Sequence, residues 1–129
     1  MKSAIHAEEI TTAFVDSAGS GVNCAGYWIA RVFLSIGPMD AGATLDLRMQ
    51  ESNDNGDTDP YTDIPGAAFA TIYDDQAGSD KLGIIVFNEG RKPWVRPIGT
   101  VTVGNVSFAV IIQPDRPTIL LDNPEWRAD

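Results

Sequence analysis

Thiol and imidazole groups are nearly absent from this chain, which has one cysteine (Cys24) and one histidine (His6) among 129 residues. A single thiol cannot close an intrachain disulfide, so the fold does not depend on an oxidising compartment. A nucleophilic Cys24 would need a base beside it, and His6 is the only imidazole on offer. A small buried hydrophobe is the simpler role for Cys24. His and Cys pairs at zinc spacing are missing, as are G-x-S-x-G, the P-loop and G-x-G-x-x-G. No stretch approaches the roughly 20 apolar residues of a membrane-spanning helix. The first residues, interrupted by Glu8 and Glu9, lack the apolar segment of a secretory signal.

Positive charge is also scarce. Nine Lys and Arg stand against 18 Asp and Glu, a net charge of −9. Such a surface repels phosphate backbones and anionic lipid, so neither nucleic acid nor a membrane is an expected partner. The tightest basic group, Arg91, Lys92 and Arg96, is too small for a nucleic-acid footprint.

What the chain does have is alternation. With 43% hydrophobic residues, 12 Gly and 8 Pro, it reads as one globular domain rich in turns. Ile10 to Val15 is β-branched and ends at the loop Asp16 to Gly21. Tyr27 to Ile36 is the strongest apolar run. Its aromatic and β-branched content, closed by Gly37-Pro38, favours a central strand over a short buried helix. Ala43 to Glu51 alternates, with Leu45, Leu47 and Met49 on one face and Thr44, Asp46, Arg48 and Gln50 on the other. Tyr61 to Ile64 resumes pairing until Pro65-Gly66. Further strands are expected over Phe69 to Tyr73, Leu82 to Phe87, Trp94 to Val103 and Val106 to Ile112. Glu89-Gly90 supplies a hairpin turn, and Pro97 implies an edge or a bulge.

The expected fold is therefore all-β: a single-domain antiparallel β-sandwich, jelly-roll or Ig-like, of about seven to eight short strands. It would occupy residues 1–113 and be followed by an extended Pro-rich arm over 114–129. Pro114, Pro117 and Pro124 oppose sheet pairing in that arm, yet Ile119, Leu120, Leu121 and Trp126 are apolar and should lie against something. The cover is either the arm's own domain or a neighbouring subunit.

Calcium binding, acid–base catalysis and an aromatic contact surface are the chemistries the residues could support. The segment Gln50 to Ala67 gathers Glu51, Asp54, Asp57, Asp59 and Asp63 around one turn. Taken as a helix-flanked calcium loop starting at Glu51, it places Asn53, Asn55 and Gly56 suitably but puts Thr62 where a bidentate carboxylate is required. Asp54, Asp57 and Asp59 remain the only calcium candidates, and a solvated turn is the simpler reading. Acid–base catalysis would need a buried carboxyl across a cleft, which clustered exposed acids do not supply. No catalytic residue and no cofactor is expected. Asn105 to Ser107 fits a glycosylation sequon. Of the three tryptophans, Trp28 is assigned to the core. Trp94, Arg96 and Trp126, with Ile119, Leu120 and Leu121, are the candidate interface residues.

Two segments together resemble small structural proteins of tailed bacteriophages, of the head decoration or capsid cement type. They are Leu47 to Gly56 continuing to Ala67, and Asn88 to Pro97 followed by a Thr/Val strand. The likeness spans roughly residues 43 to 113. It departs from the pattern at Met49, at Trp94 and in the acidic insertion Asp57-Thr-Asp59. The resemblance implies a non-catalytic virion protein, made in the host cytoplasm and bound to the major capsid protein on the capsid surface. It also implies a homo-oligomer, with a trimer as one option. A tail or head–tail connector role, or a carbohydrate- or calcium-binding module, are the alternatives.

Overall fold

The alternating segments become two packed sheets in the computed structural model, which describes residues 4–10, 15–117, 120 and 122–129. In chain order the strands are β1 (Ala4–Ile10), β2 (Val15–Ala18), β3 (Val22–Asn23), β4 (Ile29–Met39), β5 (Thr44–Ser52) and β6 (Thr62–Ala68). They continue with β7 (Ile72–Tyr73), β8 (Asp80–Val86), β9 (Trp94–Thr102), β10 (Val106–Asp115) and β11 (Trp126–Ala128). A single 3₁₀ turn, Asp74–Gln76, interrupts them among the described residues. The first sheet has the order β1-β10-β4-β8-β11. The second is β2-β9-β5-β6, with β3 beside β9 and β7 beside β5. The β-sandwich expected from the sequence is the fold.

Period-2 burial shows why these residues pair as they do. Leu45, Leu47 and Met49 on β5 face Ala30, Val32, Leu34 and Ile36 of β4 and Val106, Phe108, Val110 and Ile112 of β10 across one continuous core. A slip of one residue would turn every one of these side chains to water, so the register is strongly fixed. Two glycines make room for large rings. A Cβ on Gly99 would lie 2.8 Å from Phe108 Cζ, which reaches over from the other sheet. A Cβ on Gly83 would overlap the indole of Trp126. Both are sockets that only glycine leaves open.

The prolines fall where the ladder can spare an N–H. β4 runs on through Gly37-Pro38 to Met39 rather than stopping there, because Ile36 and Met39 pair with Phe108 and Val106, leaving two residues opposite Ser107. That bulge accommodates Pro38. β6 likewise continues through Pro65 at the sheet's edge. Pro97, expected at an edge or a bulge, sits inside β9, where its neighbours break. β3 pairs with Trp94 and Val95, while β2 pairs from Ile98 onward. Only the Pro97 carbonyl is used in that gap, accepting from Gly19 N at 2.9 Å.

One expectation is corrected and two are refined. The sandwich is not wholly antiparallel, since β11 pairs with β8 in parallel, Trp126 opposite Gly83. Trp28 is 56% exposed and not in the core. It lies just before β4, where the sheet has run past the packed interior and only its backbone is engaged, with Asp115 and Phe87. Described parts of the segment 114–129 lie on the chain's own domain, one of the two covers the sequence leaves open. Pro114 and Asp115 finish β10, and Asp122 lies against the same sheet. Arg31 on β4 ion-pairs there with Asp115 (2.6 Å) and with Asp122. Glu125 then exchanges bonds with the Leu82 backbone (2.8 and 3.0 Å), and Trp126 and Ala128 enter the core. Trp126 and Ala128 are thus covered by the chain's own domain. Leu120 is half-buried, and Ile119 and Leu121 lie outside the described residues. Of the expected strand over 10–15, residues 11–14 also lie outside them.

Candidate functional site

The acidic turn and the basic hairpin, far apart in sequence, meet at one end of the sandwich. β5 ends at Ser52 and β9 begins at Trp94, and these two residues are cross-strand partners. This pairing sets the 53–61 loop beside the 87–93 hairpin. Ser52 is fully buried, and its hydroxyl organises the loop. It accepts from Gly56 N (2.9 Å) and Asp54 N (3.2 Å) and donates to the Asp59 carbonyl (2.6 Å). Asn55 and Gly56 both take positive φ at the tip, the conformation this residue pair favours.

Three of these acids, Asp54, Asp59 and Asp63, already have an occupation. Asp54 accepts from the Thr58 hydroxyl (2.5 Å) and from the amides of Thr58 (3.0 Å) and Asp59 (3.1 Å). These bonds hold its carboxyl at about 2, well below the usual 3.8, the Thr58 hydroxyl contributing most. Asp59 is also held below the usual carboxylate range, first by the Lys92 ammonium at 2.8 Å and then by Asn53 N at 2.8 Å. Asp63 is lowered by the Gln50 amide at 2.9 Å and by Arg48 at 3.1 Å. Asp57 is exposed. Among the described residues no group of three His, Cys, Asp or Glu is placed to hold a metal ion. Glu51 and Thr62, the first and twelfth positions of the calcium reading, are instead cross-strand partners of β5 and β6.

Glu51 departs most from its expected place in a solvated turn. It is 6% exposed. It accepts Arg91 Nε (2.8 Å) and Nη2 (3.0 Å) as a two-pronged pair, and Lys92 N at 3.0 Å. Arg91 extends Nη1 to the Asp129 carbonyl at 3.4 Å, tying the hairpin to the end of β11 as well. This planar fork satisfies both carboxylate oxygens, which is what allows a charge to be buried here.

The interface candidates divide. Trp94 and Arg96 share the outer face of the second sheet. Arg96 donates Nε and Nη2 to Gln50 Oε1 (3.0 and 2.9 Å) and lies 4.2 Å above the Tyr61 ring. Burial pushes the Tyr61 hydroxyl up, with Arg96 working against it. Trp126 is elsewhere, 9% exposed in the core and edge-on to Phe69 at 5.4 Å. Its Nε1 is buried without a hydrogen-bond partner. Cys24 is buried beside β3, while the register places His6 on β1 of the other sheet. Among the described residues, the large hydrophobic side chains that are exposed are Tyr73 (55%), Val103 (53%) and Phe33 (36%), besides Trp28, and none of the first three is a sequence candidate. One signal was available for Val103, a β-branched residue directly before a turn glycine where Asn or Asp is usual.

No protein-family model matches this chain, and no curated protein is found as a relative.

Proposed function

We propose that this chain is a non-enzymatic virion structural protein that binds the outer surface of a tailed-phage head as a homo-oligomer and stabilises the shell. One observation carries this reading. The two segments that resemble phage decoration proteins are partners in space, with the Glu of Gln-Glu-Ser (Glu51) clasped by the Arg of the Glu-Gly-Arg hairpin (Arg91). Residues that co-occur in such a pattern need a reason to do so, and a buried two-pronged ion pair is one. The Lys92–Asp59 pair (2.8 Å) reinforces the same corner. The paired charges at that corner support a framework role there and leave binding to other surfaces of the sandwich.

The test uses heads of the virus that encodes this chain, prepared without it. Saturable co-sedimentation of the purified protein, with raised resistance of the heads to heat, is expected. Absence of binding to heads, or antibody labelling confined to tails, refutes the head assignment.

A further inference from the structure

The two ends of the sandwich differ in charge. At the end already described, cations and anions are paired. At the opposite end lie the 103–105 turn, the 40–43 turn and the 74–79 segment, and the residues there are of another kind. Asp40, Asp74, Asp75 and Asp80 are exposed, and Asp46 is half-exposed. No Lys or Arg occurs within residues 37–47, 69–80 or 100–107. The nearest cations along these strands are Lys81 and Arg48, and Arg48 is engaged by Asp63.

Two of the most exposed apolar side chains stand in the midst of these acids. Tyr73 is the cross-strand partner of Thr44, whose hydroxyl bonds that of Thr102. Val103 follows Thr102, and its Cγ1 lies 4.0 Å from where a Cβ on Gly42 would be. Gly42 N in turn donates to Asp74 at 2.7 Å. Tyr73 and Val103 therefore belong to one patch. Val103 also holds φ +58, a left-handed conformation that strains a β-branched residue. A stable turn would place Asn or Gly there. Local stability does not explain a strained, exposed valine, whereas a contact made by its side chain would.

We propose that this end is a docking surface for a protein face with an apolar centre and a rim of Lys and Arg. Charge selects the occupant. Two copies of this chain meeting through these ends would set carboxylates against carboxylates, which disfavours self-association. Most of the chain's described cations are engaged elsewhere, and Lys81 stands beside Asp80 at this end itself, a single positive charge among its acids. Arg31, Arg48, Arg91, Lys92 and Arg127 are in ion pairs, Arg96 bonds Gln50, and Arg116 bonds the Gly26 carbonyl. Charge thus favours a rim supplied by a different chain, and, resting on the head-decoration reading, that chain is the shell protein.

The experiment compares wild type, the double variant Tyr73→Ala/Val103→Asn, the double variant Asp74→Asn/Asp75→Asn, and Trp28→Ala at the far end, each checked for folding by circular dichroism. Asn tolerates the Val103 conformation, so the first variant keeps its turn. Binding to heads is measured at low and high salt. Tyr73→Ala/Val103→Asn should weaken binding about tenfold or more. Asp74→Asn/Asp75→Asn should flatten the salt dependence, and Trp28→Ala should bind as wild type. Wild-type affinity in Tyr73→Ala/Val103→Asn, or loss only in Trp28→Ala, overturns the proposal. If wild type itself ignores heads, the head reading fails. The surface is then judged by amide shifts on titration with an alternating Lys-Leu peptide. Shifts confined to residues 40–44, 72–80 and 102–106 sustain it, and shifts elsewhere or none overturn it.

Discussion

Replacing Gly83 by Ala adds one methyl group, yet it should be among the most damaging single changes in this protein. The added Cβ would overlap Cε2 and Cζ2 of Trp126 and lie 2.6 Å from Nε1, the third-nearest atom. Ordinary carbon contacts are about 3.5–4.0 Å, so the indole must retreat by roughly 1 Å or more. If the ring only tilts, the cost is that of overpacking, about 1–3 kcal/mol. Tilting is poorly supported, because Nε1 has no hydrogen bond to hold it and β11 is only three residues long. Expulsion of the ring is the expected outcome, and it costs what truncating a buried Trp costs, about 3–5 kcal/mol. Urea unfolding followed by far-ultraviolet circular dichroism would measure this for wild type, Gly83→Ala, Trp126→Ala and the double variant. The three variants should agree within about 1 kcal/mol, because each loses the same contact. A Gly83→Ala protein within about 0.5 kcal/mol of wild type, or additive losses in the double variant, would refute the socket.

Arg91→Ala should cost about 3–5 kcal/mol in the same assay by stranding the buried Glu51 carboxylate, and Arg91→Met with Glu51→Leu should recover most of that loss. Deleting residues 114–129 should abolish cooperative thermal unfolding, because it removes the end of β10, both Asp partners of Arg31 and two core residues; a truncated chain that still melts sharply would show that the segment is dispensable. Acid should destabilise the fold in a defined window. Asp54, Asp59, Asp63 and Asp115 are all held below the usual carboxylate value, so the unfolded chain binds protons first. Their stabilisation is complete above about pH 4, and the Asp54 share is lost as pH falls toward about 2. Melting temperature measured between pH 6 and pH 2 should show this fall, and Asp54→Asn should flatten it. Calcium should leave the melting temperature unchanged, since the Asp54 and Asp59 oxygens are already bonded within the loop and to Lys92; a rise reversed by chelator would count against this account.

Where periodicity was clean, the fold could be read. Leu45, Leu47 and Met49 alternate with polar neighbours, and their strand and its buried face follow directly from that pattern. Where proline appeared, local rules misjudged the ends of strands. Pro38 and Pro65 do not end their strands, because a bulge and a sheet edge tolerate the missing N–H, and both depend on the neighbouring strand. Which cover the tail takes could not be read locally for a similar reason. Its prolines forbid a long ladder, but three residues after Pro124 suffice to pair β11 with β8, and nothing local shows that Gly83 waits beneath Trp126. The acidic turn and the basic hairpin are each visible in the sequence, and neither alone makes a site. That they neutralise one another rests on Ser52 pairing with Trp94, a contact across 42 positions that no short window contains.

The two glycine sockets also bear on how this sequence can diverge. Gly83 with Trp126, and Gly99 with Phe108, are pairs in which a bulkier glycine position demands a smaller ring position. Neither member can drift alone without passing through a destabilised intermediate. Lineages that descend from the same ancestor should therefore either keep both pairs or exchange bulk within a pair. A search keyed to these four positions and to the Glu51–Arg91 clasp would follow ancestry further than overall identity does.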